Sequence, residues 1–273
     1  MPELVEAEVC ATQLNVAMWR ATVVEIGAAD KQLDDRLRHL LVGWTSTGVV
    51  RVGNAVLFEF ENPGAGSRFI LTRFGSAGSW RLGPHPSSCR LTMKLFGPAR
   101  EPIELAFVEG RRAVGASVEV SDSLLDLPYI RFVATCHDVM SDKFDDEWLG
   151  LCFARCPPAM TVREALVRQE FFPGIGPWIA NESLFRAKLH PDCRARDLDR
   201  RQLADLARGI IMVVSSSVIL KGTAIGSWRN PDGSRGLAQD EFCVHGRSKC
   251  AMCRSEIKRN GAAHWCDVCQ PLN

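Results

Sequence analysis

A chain of 273 residues with 46% hydrophobic and 24% charged residues has the composition of one large or two modest globular domains, which excludes disordered and collagen-like chains. The most apolar stretch, residues 210–220, is short for a bilayer and holds three serines, and the start MPELVEAEVC is acidic where a secretory leader is basic. The expectation is an intracellular protein of the cytoplasm or nucleoid, a monomer with no membrane partner.

The net charge of +1 divides unevenly. Residues 1–156 hold 16 Lys+Arg against 20 Asp+Glu, or −4, and residues 157–273 hold 17 against 12, or +5. The basic half suits a polyanion, and equally a solvated face. In chain order, a helix over residues 4–18 leads into the strand-like runs ATVVEIGA, GVVRVGNAVLFEF, SRFILTRFG, LTMKLFG, IELAFVEG and GASVEV, separated by Gly, Pro, Ser and Asn turns. Short strands at this spacing predict a sandwich or barrel over residues 1–135. Residues 136–157, with an acidic KFDDEW segment and paired prolines, read as a linker. From Thr161 the period turns helical: Val162, Ala165, Leu166 and Gln169 precede FFPGIG, and a helix over 178–189 ends at His190-Pro191. Asp199, three residues before Gln202, then opens a long apolar helix to about residue 220. This helical domain, with the glycine-rich loop KGTAIGSWRNPDGSRG, covers 158–240, and a cysteine cluster fills 241–273. The fold class is α+β.

Three constellations carry chemistry. Cys250-x2-Cys253-x12-Cys266-x2-Cys269 places four thiols in two knuckles, the closed donor set of one structural Zn2+. Redox pairs or incidental thiols are the bland alternative. The ion would substitute for a core that so short a hairpin cannot build. Lys258 and Arg259 lie between the knuckles, where they could meet nucleic acid, although zinc ribbons also bind proteins. At the other end, removal of Met1 would expose Pro2 as a secondary amine, partly unprotonated near neutral pH because α-amino groups titrate at about 7.7–8.0. Such an amine can attack a sugar carbon and form an iminium, with Glu3 beside it to give or take a proton. Taken alone, Met-Pro-Glu is an ordinary start. The Gly174-x-Gly176 turn before a helix exposes N–H groups that can hold a phosphate. The other seven cysteines read as buried or incidental thiols, Trp178 as core, and Trp228 as core or base platform.

In this order the chain resembles the formamidopyrimidine-DNA glycosylase / endonuclease VIII family of base-excision repair enzymes, nearly end to end. MPELVEAE resembles the family's opening, PGIGPWIANESLFRAKLHP its helix–two-turn–helix, KGTAIGSWRNPDGSRGLAQDEFCVHGR its lesion-loop region, and the four cysteines its zinc finger. The resemblance implies an amino-terminal β-sandwich with a helix, a helix–two-turn–helix domain and a four-cysteine zinc finger. It also implies a DNA glycosylase with AP lyase activity that flips a damaged nucleotide out of the duplex. Pro2 would attack C1′ of that nucleotide, Glu3 would serve as acid and base, Glu6 would help position the site, Glu182 would support the helix motif, and Arg111 would fill the gap left by the flipped base.

The chain also departs from the family pattern. Asn54 stands where a lysine is usual, Arg73 replaces a phosphate-contacting histidine, and Ser76 replaces a void-filling methionine. Pro177 follows Gly176 in place of the asparagine of GIGN, and Gly261 falls where a finger arginine contacts phosphate, in a shortened hairpin. Lys258 and Arg259 are candidates to replace that arginine. The expectation is conserved chemistry with rebuilt phosphate contacts and an altered lesion choice that admits bulky or crosslinked adducts. The alternative is a catalytically weak binder of damaged DNA on the same fold.

Overall fold

The computed structural model describes residues 2–84, 89–109, 114–136, 138–226 and 228–272. Two compact units emerge, residues 1–132 with 221–236, and residues 133–220 with 237–273.

In the first unit, helix α1 (Leu4–Met18) precedes β1 (Thr22–Ala28), α2 (Lys31–Leu41), and strands β2 (Thr45–Val52), β3 (Ala55–Asn62), β4 (Gly66–Phe74), β5 (Gly78–Leu82), β6 (Leu91–Phe96), β7 (Pro102–Glu109) and β8 (Ala116–Ser121). The strands join in the order β5-β7-β6-β1-β2-β3-β4-β8, every pairing antiparallel. β1 and β2 meet only at Thr22 and Thr45, so the sheet hinges there into two four-stranded halves. Those halves fold face to face. Trp80 of β5 lies 4.9 Å from Phe58 of β3, ring centre to ring centre, and its indole N–H donates to Thr72 Oγ1 of β4 at 3.0 Å. The apolar side chains of both halves and of α1 form one core, which is the β-sandwich with a helix that the resemblance implies.

The run GVVRVGNAVLFEF is two strands rather than one, because Gly53-Asn54 forms the tight turn between β2 and β3. α2 escapes the sequence reading: Leu37 and Leu41 are its fully buried anchors, Leu33 and Leu40 pack beside them half-buried, and Asp30 caps it by accepting Leu33 N–H. Helix α3 (Pro128–Val133) follows β8, and Leu127, Tyr129 and Ile130 cover Leu57 and Leu71.

The second unit contains α4 (Asp146–Ala154), α5 (Val162–Leu166), α6 (Pro177–Arg186), α7 (Arg200–Ile219) and the hairpin β9 (Lys258–Asn260) with β10 (Ala263–Trp265). Residues 136–157, a linker by composition, thus carry a helix capped by Asp145. α6 and α7 are the two helices of the helix–two-turn–helix, with the turns between them set by Leu189 N–H to Leu184 O and Cys193 N–H to His190 O. They cross closely at Gly209, where an added Cβ would sit 2.8 Å from the carbonyl oxygen of Ser183. α7 begins earlier than the apolar run suggests, with Asp199 and Gln202 closing its capping box. Over its 20 residues it is long and apolar enough, by length and composition, to cross a membrane. Its buried residues Leu206, Ile210 and Val213 instead fit a core helix amphipathic on α4 and α6.

Residues 221–236, grouped with the helical segment by sequence pattern, cluster with the first unit. Their two ends pinch together: a Cβ on Gly236 would fall 2.1 Å from Gly222 O, which only glycine permits.

Candidate functional site

The start of α1 gathers three of the sequence-derived site residues. Pro2, Glu3 and Glu6 are buried, the two carboxylates 3% and 1% exposed. Glu3 takes the cap position in extended backbone, so its N–H is one of the donors a helix start leaves unmet. Glu6 Oε2 accepts that N–H at 2.8 Å, while Glu6 Oε1 accepts Thr223 N–H at 3.0 Å and Thr223 Oγ1–H at 2.8 Å. One carboxylate therefore fixes both the chain start and the glycine-rich loop, within hydrogen-bond distances typical of charge-assisted bonds. Chemically, this is a clamp: it holds residue 2 and its acidic neighbour in one place. Trp228, in the same loop, is core rather than platform; it is 7% exposed and edge-on to Phe74 at 5.1 Å.

Asn54, in the turn before β3, and Arg73 of β4 come together where Ala55 pairs with Arg73. Tyr129 O–H donates to Asn54 Oδ1 at 2.8 Å and accepts Asn54 N–H at 3.4 Å, and the Arg73 guanidinium lies 4.8 Å over the Tyr129 ring. Tyr129, the only tyrosine in the chain, thus organises both residues, and sequence pattern gives no sign of it. Arg111 lies outside the described residues. Ser76 exchanges bonds with the Val114 backbone, which fills its role locally.

In the second unit Gly176 is the cap residue of α6 and Pro177 sits at its first position. No carbonyl within the helix is served by an N–H there, so the proline costs the helix nothing, but the asparagine side chain and one outward-facing N–H are both lost. The next functional pair is buried: Asn181 and Glu182, 1% and 2% exposed. Glu182 accepts three consecutive backbone N–H groups, from Cys243 at 2.8 Å, Val244 at 2.9 Å and His245 at 2.7 Å. Burial raises its pKa and those three bonds oppose the rise. Asn181 Nδ2 donates to Ala262 O and to His245 Nδ1, both at 2.9 Å, and its Oδ1 accepts Arg163 Nε–H at 3.3 Å. Gln270, fully buried, links Cys266 N–H to Leu189 O. The hairpin region thus hangs on α6 and the turn after it by three amide or carboxylate side chains, none of them a cysteine.

The four cysteine sulfurs lie within 4.8 Å of one another, with Cys250–Cys269 at 3.8 Å and Cys253–Cys266 at 3.4 Å. A tetrahedron of thiolates about 2.3 Å from zinc has edges of about 3.8 Å, so the donor set fits one ion with no position left open. Hydrogen bonds from Ser255 lower the Cys253 thiol to about 6, favouring thiolate. Cys253 is alone in this, since burial raises Cys266 and Cys269 of the same cluster as well as all seven cysteines outside it, Cys152 up to about 12. Lys258 and Arg259 are exposed on β9, and Arg259 Nη2 donates to Arg247 O at 2.8 Å.

Two models of one family match the chain: the formamidopyrimidine-DNA glycosylase N-terminal domain over residues 1–115 and the formamidopyrimidine-DNA glycosylase H2TH domain over residues 137–228. Among curated relatives, the formamidopyrimidine-DNA glycosylase of Exiguobacterium is 24% identical over 99% of both chains. That of Thermosynechococcus vestitus is 27% identical over 100% of this chain and 98% of its own. The fold matches Lactococcus lactis Fpg, solved with abasic-site-containing DNA, at a TM-score of 0.84 and 23% identity over 99% of this chain and 100% of that one. The N-terminal and H2TH matches, in the right order on the right fold, settle the kinship: the chain belongs to the formamidopyrimidine-DNA glycosylase family, and with it to the DNA glycosylases that are also AP lyases.

Proposed function

We propose that the chain excises damaged bases from DNA through Pro2. After loss of Met1 the Pro2 nitrogen forms a bond to C1′ of the flipped nucleotide as the glycosidic bond breaks and the base leaves with a proton. Glu3 delivers a proton to the ring oxygen as the sugar opens, leaving an iminium. Abstraction of a C2′ proton then expels the 3′-phosphate, and water releases the protein. Glu6 positions this start without touching the sugar. The four cysteines hold one structural Zn2+, which supplies folding energy to the hairpin and no chemistry.

The observation that supports this reading is the Glu6 clamp, because an ordinary chain start has no need of a buried carboxylate shared with a loop 217 residues away. In the same reading Arg73, Lys258, Arg259 and the Gly176 turn bind the DNA backbone, Asn54 belongs to the same DNA-binding set, and Arg111 fills the gap left by the flipped base. The protein acts as an intracellular monomer, and its lesion choice has shifted towards bulkier or crosslinked adducts, since Asn54, Ser76 and Gly261 all shorten side chains.

Borohydride reduction on duplex DNA with an abasic site tests the chemistry. A covalent adduct that is lost in Pro2→Gly is expected, with a processed amino terminus by mass spectrometry. Reversible binding without an adduct would instead favour the damage-binding alternative, to which the capture of Asn54 by Tyr129 lends some weight. A panel of oxidised, alkylated and crosslinked oligonucleotides tests lesion choice; preference for oxidised purines alone would defeat it.

A further inference from the structure

Helix α7 keeps one face that the rest of the second unit does not cover. Leu206, Ile210 and Val213 are buried, while Arg208, Ile211, Met212, Ser215 and Ile219 recur at three- and four-residue spacing on the exposed side. Met212 and Ile219 are 56% and 81% exposed. Ser215 and Ser216 turn their hydroxyls back onto the carbonyls of Ile211 and Met212, each at 2.7 Å, so neither needs an outside partner and the stripe behaves as apolar. Arg208, at its amino-terminal end, is already held by Asp205. A groove of about 330 Å³ lies between α7 and the segment before α4, lined by Met140, Asp142, Phe144, Ile211, Val214 and Ser215. That segment and the first turn of α4 are acidic: Asp142, Asp145, Asp146 and Glu147 stand against Lys143 alone. Among the described residues none of these four carboxylates pairs with a cation. The chain beyond has the opposite sign, 17 Lys+Arg against 12 Asp+Glu over residues 157–273, or +5.

We propose that this groove docks a basic amphipathic helix of a partner protein. From Ile211 to Ile219 the stripe is about 12 Å long at 1.5 Å per residue, the reach of anchors at i, i+3, i+4 and i+7 on a facing helix. Those anchors meet Met140, Ile211, Met212 and Ile219, and the two thioethers adapt to their shape. The acidic wall fixes the partner's sign. Lysines and arginines flanking its apolar face find those carboxylates, whereas an acidic helix or a nucleic-acid strand is repelled. Apolar burial supplies the affinity and the exposed charges supply the discrimination. None of these residues serves the excision chemistry or the metal centre proposed above, so the docking role is additional to both.

The test uses the zinc-loaded full chain and two fluorescein-labelled helical peptides of about 18 residues. Both carry leucine at i, i+3, i+4 and i+7, with lysine elsewhere in one and glutamate elsewhere in the other, and binding is read by anisotropy. Wild type should bind the lysine peptide about tenfold or more tightly than the glutamate peptide. A first variant, Met212→Gln with Ile219→Gln, keeps charge and helix propensity and should weaken the lysine peptide about tenfold or more. A second, Asp142→Lys with Glu147→Lys, should reverse the preference, so that the glutamate peptide binds more tightly. All four substituted side chains are exposed, and should either variant fail to fold the other decides. Equal affinity of wild type for the two peptides overturns the assignment, as does an unchanged affinity in the first variant or an unreversed preference in the second. Sedimentation gives the competing outcome: a wild-type dimer that the first variant dissociates would assign the face to a second copy of this chain and reject the partner helix. The excision reading is scored separately by the Pro2-dependent borohydride adduct, which neither variant should alter.

Discussion

In each unit a buried carboxylate accepts three hydrogen bonds, Glu6 in the first and Glu182 in the second, and the two do different work. Glu6 gathers three donors from two distant places, the chain start and Thr223, and so ties the start of the chain to a loop far along it. Glu182 gathers three donors from one place, residues 243–245, and so hangs a hairpin on a helix. The difference teaches where variation is tolerable. A clamp that joins two distant segments fails if either partner changes, whereas a clamp that hangs a hairpin on a helix can keep its anchor while the exposed residues beyond it, such as Lys258, Arg259 and Gly261, vary.

That contrast can be broken by removing each anchor. Glu182→Ala leaves three backbone N–H groups without their acceptor and should destabilise the second unit by about 3–5 kcal/mol in denaturant unfolding. It should weaken DNA binding while leaving the adduct yield per bound duplex unchanged; a fall in that yield would mean the two clamps are not independent. Glu6→Gln keeps the volume but turns an amide N–H2 towards Glu3 N–H. Its stability cost should be smaller, about 1–2 kcal/mol, with borohydride trapping slowed about 10²-fold by a misplaced amine. Unchanged trapping would reduce Glu6 to a structural residue.

The smallest effect sharpens the comparison through pH. Burial, then His264, Arg163 and Arg259, holds the His245 pKa at about 4 against 6.5. The unfolded chain therefore binds this proton first, and the contribution of neutral His245 is complete above about pH 6.5 and lost as the pH falls towards 4. Unfolding of the zinc-loaded protein should show a shallower pH dependence in His245→Phe than in wild type over that window; equal slopes would contradict a neutral His245.

The sequence carried much of this in local form. Cysteine spacing defined the metal centre because a tetrahedral site needs paired knuckles, and the Asp199–Gln202 spacing marked the start of α7 because capping is a three-residue interaction. The reactive start was readable as well, since Pro2 and Glu3 are adjacent. What resisted was what local pattern cannot hold. α2 was missed although Leu33, Leu37, Leu40 and Leu41 fall at helical spacing, because charged residues separate them in a stretch otherwise read as strands and turns. Residues 221–236 follow the helices in chain order, while their contacts cluster them with the sandwich. Asn181, Tyr129 and His245 were invisible for the same reason: an amide, a lone tyrosine or a histidine acquires a role only from partners 18 to 81 residues away. The sequence alone determined the family and a four-thiol donor set for a metal ion, and it pointed to Pro2 and Glu3 as candidates, all through residue type and spacing. Only the tertiary structure decided which carboxylate clamps which loop, because hydrogen bonding between distant segments depends on where the chain has brought them.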